Sequence, residues 1–294
     1  MVRHPNSKTD QIIRSMLQKA VRRGDIELTG KLVNYLTQKD DFEWLRKRIA
    51  VITFEECWTY GLELTFESNV DVVNKHFLNL ASAVKNKNAA GLGSLGYELS
   101  KGDVSVLDGV LSDRAIKIVA EAVKRPNDFW KWAHGKALDN KQKMIVSNAH
   151  RGFSRAGWQW DKAFTQAAAY LSLTEDIPET SFVEEEKNYS LPLWIGIDKH
   201  TPEGKFIIGG AAKELNIDID VALWLSFYFE GAICNHNIAD SRWWNREISW
   251  RMNKLSLSRE EGEVIWQKLR PIIEKRLTQK TEKIEENLSS IKAI

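Results

Sequence analysis

Asp198 and His200, two residues apart, form the pair in this sequence best placed for chemistry. They close the stretch Leu191-Pro-Leu-Trp-Ile-Gly-Ile-Asp-Lys-His-Thr-Pro-Glu-Gly-Lys205. Apolar residues bury the approach, and Pro192, Pro202 and Gly204 fix the backbone around it, so the carboxylate at the mouth of the turn is held in place. A held carboxylate can stabilise a developing positive charge or guide an attacking water. The competing role for an Asp in this setting is a helix N-cap, which needs no chemistry at all. Glu230 is the second candidate. It ends an apolar run beside Cys234 and His236, where partial burial would raise its pKa and let it donate a proton or bind a base edge. Cys234, His236 and Asp240 lack a tight second pair of ligands, so no metal and no cofactor is expected.

These groups must be positioned by helices. Most long segments carry apolar residues at helical spacing, and only 6 prolines occur in 294 residues. The expected fold is all-α, a compact multi-helix protein. Helices are expected over 11–23 (capped by Thr9 or Asp10 and stopped by Gly24), from Asp25 through Leu36, and over 42–57, 70–84, 92–99 and 114–124. Further helices are expected over 205–215, 217–231 and 242–251, with an amphipathic one from Ser258 onward. The run Glu184-Glu185-Glu186 reads as a solvated loop or a helix start. A division into 1–125 and 126–294 is expected, with a single domain as the alternative.

Composition narrows the class. Hydrophobic residues make up 43% and charged ones 28%, as in ordinary globular proteins. The net charge is +2, so a nucleic-acid surface must be a local patch. Cys57 and Cys234 alone cannot build a disulfide framework, and with the polar opening 1–10 they suit a cytoplasmic protein. The longest apolar run, 221–234, is too short to span a bilayer and contains Glu230, so no membrane partner is expected.

Gln18-Lys-Ala-Val-Arg-Arg-Gly-Asp25, Leu32-Val-Asn-Tyr-Leu36 and Leu45-Arg-Lys-Arg-Ile-Ala-Val-Ile-Thr-Phe-Glu-Glu56 resemble the helical collar domain of clamp-loader-related AAA+ ATPases. Phe164-Thr-Gln-Ala-Ala-Ala-Tyr-Leu-Ser-Leu173 is a fainter echo. The resemblance implies a helical scaffold, oligomerisation through the N-terminal helices and a setting in DNA metabolism. ATP hydrolysis is not implied: Gly91-Leu-Gly-Ser-Leu-Gly96 lacks the Lys and Ser/Thr that hold phosphate and magnesium.

Between 126 and 162, cations alternate with aromatics. Lys143, Arg151, Arg155 and Trp158 are the candidates for DNA contact, joined later by Lys205, Arg242 and Arg246. Cations neutralise phosphates and flat rings support an unstacked base. The alternative is a solvated basic face over tryptophans packed in the core. Trp243, Arg246 and Trp250 recur at helical spacing, and exposed arginines there would favour the DNA reading.

Ile197-Asp-Lys-His-Thr201 resembles the segment that carries the essential aspartate of helix-hairpin-helix DNA glycosylases. The resemblance implies that Asp198 is the catalytic carboxylate, that His200 orients its loop, and that the substrate base is flipped out of the stack. The chain departs from that pattern in having no L-P-G-[IV]-G hairpin, no cysteine quartet and no clear lyase lysine. Together the resemblances give an expected function: a DNA glycosylase excising a modified base, with Glu230 shaping the pocket, and by analogy with motorless collar modules a part in phage defence. The alternative from another class is a non-enzymatic, clamp-loader-like adaptor or DNA-binding accessory protein.

Overall fold

The computed structural model describes residues 8–107, 113–183, 197–234 and 242–289. Among them are thirteen α-helices and no sheet, so the all-α expectation holds. In chain order they are α1 (Lys8–Arg23), α2 (Ile26–Gln38), α3 (Phe42–Glu56), α4 (Val70–Ser82), α5 (Asn88–Ser100), α6 (Arg114–Lys124) and α7 (Pro126–Lys136). They continue with α8 (Asn140–Arg155), α9 (Gln159–Thr174), α10 (Pro202–Glu214), α11 (Ile219–Ser226), α12 (Arg242–Lys254) and α13 (Arg259–Ser289). No helix among the described residues is long and apolar enough to cross a membrane.

The chain divides into two compact units, each discontinuous in sequence. The first comprises Met1–Phe42, Glu184–Asn235 and Met252–Ile294; the second comprises Glu43–Val183 and His236–Arg251. The division expected at 125/126 falls inside the second unit. Of the sequence features singled out above, Glu184-Glu185-Glu186, the approach 191–196, His236 and Asp240 lie outside the described residues.

In the first unit, α1 ends as its sequence demands. Gly24 adopts φ 76°, and the amides of Gly24 and Asp25 bond back to Val21 and Ala20 carbonyls at 3.2 and 3.0 Å. That left-handed position suits glycine because it lacks a Cβ. Asp25 then caps α2 by accepting from the Leu28 amide at 2.8 Å. The α1 start differs from expectation: the helix begins at Lys8, so Thr9 and Asp10 lie inside its first turn. Ile13, Met16, Leu17, Leu32 and Leu36 fill the core between α1 and α2 and are fully buried. Arg14 and Asp41 tie the pair together with bonds of 2.5 and 2.7 Å.

The second unit is built around α5, which packs on both α6 and α9. Its glycines explain how. A Cβ at Gly91 would collide with the Trp243 backbone, one at Gly93 would come within 2.8 Å of the Phe164 ring, and one at Gly96 would reach Val119 at 2.5 Å. The glycine-rich run is thus a helix-packing surface. Helix α4 stops two residues earlier than expected, because Lys85 folds back and donates to the carbonyls of Leu80, Ala81 and Ala83 at 2.6–2.9 Å. Those are orphan acceptors at a helix end, satisfied by a cation. Half of the twelve tryptophans are anchors: Trp58, Trp130, Trp243, Trp244 and Trp250 are buried in this unit and Trp266 in the first.

Candidate functional site

The start of α10 sets the Asp198 turn. Pro202 occupies the first turn of that helix, where its missing N–H costs nothing. Thr201 is the N-cap: its hydroxyl accepts from the Gly204 amide at 3.0 Å and donates to the Asp198 carbonyl at 2.8 Å. Asp198 is therefore not the cap of this helix, and the capping alternative falls to its neighbour. Its Oδ1 instead accepts from the His200 amide and from His200 Nδ1, each at 2.8 Å. A carboxylate only accepts, so Nδ1 carries the proton of this hydrogen bond.

Gly204 is needed where it stands, since a Cβ there would collide with the Asp198 carbonyl. Gly204→Ala is expected to displace the turn, costing about 1–3 kcal/mol in the first unit; urea unfolding measures it.

Behind the turn lies α1. Lys19 Nζ donates to the Ile197 carbonyl at 2.9 Å and to Ser15 Oγ at 2.7 Å. Burial pushes the Lys19 ammonium down to about 8, against the pull of Asp198 and assisted by Arg22 and Arg23. Burial alone would raise the Asp198 carboxyl, but the His200 hydrogen bonds and the Lys19 charge hold it well below the usual carboxylate range. Asp198 is thus ionised at any physiological pH while its side chain stays 35% exposed. Such a group suits electrostatic stabilisation of a cation and cannot serve as a proton donor. Lys199 lies over the Trp224 ring, 2.8 Å from its centroid, with the Phe227 ring at 5.0 Å.

Glu230 takes a different part from the one expected. It lies in a π-helical turn, Phe227–Gly231, that widens the end of α11. The widened turn puts the Glu230 and Gly231 carbonyls within reach of Arg23 and Arg22, and the Glu230 carboxylate pairs with Arg23 as well. At 2% exposure Glu230 faces the Arg23 guanidinium, with Arg270 at 3.9 Å, and so braces the unit. Sequence reasoning missed Lys19, Arg22 and Arg23. The signal was present: Met16, Lys19 and Arg23 recur at helical spacing on the buried side of α1.

The DNA-contact candidates separate. Lys205 is exposed in α10 of the first unit. In the second unit, Lys143, Arg151 and Arg155 fall along α8 at intervals of two turns and one turn, and Trp158, 69% exposed, comes just after its end. Lys143 and Arg151 are exposed; Arg151 and Arg155 both lie over the Phe66 ring, 5.4 and 4.3 Å from its centroid. Arg246 is committed to Asp113 and to the Val106 carbonyl, and Arg242 to Glu175. Trp243 and Trp250 are buried beside Arg246, whereas Arg242 stays 56% exposed in its ion pair. No group of three or more metal-ligating side chains is assembled among the described residues.

Set against models of known protein families, characterised proteins and solved structures, the chain matches none of them. The two family resemblances stand on the residues quoted for them.

Proposed function

We propose that this protein is a cytoplasmic DNA glycosylase, with Asp198 stabilising the cationic sugar formed as a modified base departs. The observation that carries the reading is a half-open carboxylate, held ionised by His200 and Lys19 and not used as a helix cap. When the N-glycosidic bond breaks, its electron pair leaves with the base and positive charge gathers on the sugar ring; Asp198 lowers that charge's energy. A water adds its oxygen to the anomeric carbon, and its proton passes to His200 Nε2, the ring nitrogen opposite the Nδ1 bond to Asp198. Glu230 supports the site through Arg23 instead of shaping a pocket. Any oligomerisation through α1 and α2 would use their exposed positions such as Gln11, Glu27 and Lys31, since their apolar faces are filled.

The test is a panel of ordinary and base-modified duplex DNAs, with alkali-revealed breaks reporting abasic sites. Breaks that vanish in folded Asp198→Asn support the reading; breaks that persist in the variant sink it.

The α8 stripe favours a second reading, a DNA-binding accessory protein, because exposed Lys143 and Arg151 with Trp158 need no catalytic group to hold a strand. Replacing Lys143 and Arg151 by Ala should then lower the slope of log affinity against log salt by about 0.9 for each phosphate no longer neutralised. A slope unchanged from wild type would remove α8 from the interface.

A further inference from the structure

We propose that the groove between α6 and α7 is a nucleotide-binding site, taking the base against Trp132 and the phosphate on Arg125. The groove has a volume of about 650 Å³, within the range of sites that hold small organic ligands. Ile118 and Ala122 form its apolar floor from α6. Ile118 is half-buried there, whereas Ala122 is buried together with Ile116 and Val119.

The wall is aromatic. Phe129 is buried, whereas Trp132, one turn further along α7, is 41% exposed in the groove. Their rings lie 5.6 Å apart at 42°, so the buried ring fixes the exposed one and leaves a flat face open. A planar base stacking there would cover apolar surface that water now touches.

The rim supplies the sign of the charge. Arg114 stands at the first turn of α6 and Arg125 at its junction with α7, so guanidinium groups flank the floor at its two ends. Both are exposed, and no ion pair among the described residues engages either. Arginine binds phosphate through paired donors in a planar fork. Of the acidic groups in the groove, Glu121 is drawn toward Lys124 at 3.0 Å. Asp128, in the first turn of α7, is an acceptor suited to the exocyclic amine of a base. An aromatic face, cations and one acceptor are the complement of a nucleotide. A purely apolar ligand would leave Arg125 unused, and phosphate alone would leave the ring uncovered. The site belongs to the second unit and does not rest on the Asp198 reading.

The experiment is isothermal titration of the full-length protein with dAMP, adenosine, inorganic phosphate and a short single-stranded adenine oligonucleotide. Saturable binding of dAMP is expected, with adenosine and phosphate each at least about tenfold weaker. Trp132→Ala and Arg125→Glu should each weaken dAMP by about tenfold or more at unchanged Tm. An oligonucleotide that binds about tenfold tighter than dAMP identifies a strand as the source of the nucleotide; equal affinity identifies the free nucleotide. Absence of saturable binding by both dAMP and the oligonucleotide up to millimolar concentration overturns the proposal. So does binding that both variants retain at wild-type strength.

Discussion

Glu56→Ala is expected to destabilise the second unit by about 3–5 kcal/mol, the cost of leaving a buried charge without its partner. Glu56 closes α3 and Lys87 precedes α5; their side chains meet at 2.9 Å with exposures of 0% and 1%. The Lys87 ammonium also sits 4.5 Å from the Trp244 ring centroid, so three helices converge on one buried cation. Backbone bonds run beside it, with the Asn86 amide donating to the Glu56 carbonyl at 2.9 Å. Removing the carboxylate strands the ammonium, whereas replacing both residues by Met removes the charge and keeps much of the volume. The double variant should therefore recover most of the stability. Urea unfolding of the two single variants and the double gives the answer; a single-variant effect under about 1 kcal/mol would mean that the pair does not hold these helices.

On the proposed glycosylase reading, Lys19→Met is expected to slow base release by about 10- to 100-fold, the range for a displaced reacting group. Its distinguishing effect is on pH dependence. In the wild type, Asp198 is held ionised partly by the Lys19 charge. Without that charge its pKa moves up toward the ordinary carboxylate value, and the acid limb of the rate profile moves to higher pH. Stability responds differently. Lys19 titrates at about 8 when folded against 10.5 in the unfolded chain. Between those values the unfolded chain binds more protons, so stability of the first unit rises with pH across that window. Below about 8 the buried ammonium costs stability in full. Lys19→Met should abolish the alkaline rise. Asp198 slopes the same way in an acid window: its lowered pKa contributes stability that is present above the ordinary carboxylate range and lost as the pH falls. Rate profiles and chemical unfolding from acid to alkaline pH would read both effects. An unmoved acid limb would show that Lys19 only packs.

Much of this was legible in the sequence because it is local. Gly24 and Asp25 announce the α1–α2 turn through backbone chemistry confined to a few residues, and α6 runs over the expected 114–124. Helix packing was not legible. The periodicity of a helix names its apolar face but not the face it meets, so the two discontinuous units could not be read off. The fate of the arginines was hidden for the same reason. Arg242 and Arg246 find carboxylates 67 and 133 residues away, pairings that helical spacing does not announce. At the Asp198 turn the two candidate oxygens for the cap, Asp198 and Thr201, lie three residues apart. The fixed φ of Pro202 starts the helix after Thr201 and leaves Asp198 outside.

Mass-spectrometric detection of free base released from duplex DNA is the most direct measurement of the central claim. It sees the broken N-glycosidic bond itself, independent of any later strand cleavage. The account predicts that wild-type protein releases a modified base with one abasic site per base. Asp198→Asn, folded and still isosteric, should release at least about 100-fold less, because it removes the negative charge from beside the sugar. Equal release by the two proteins would contradict the role given to Asp198.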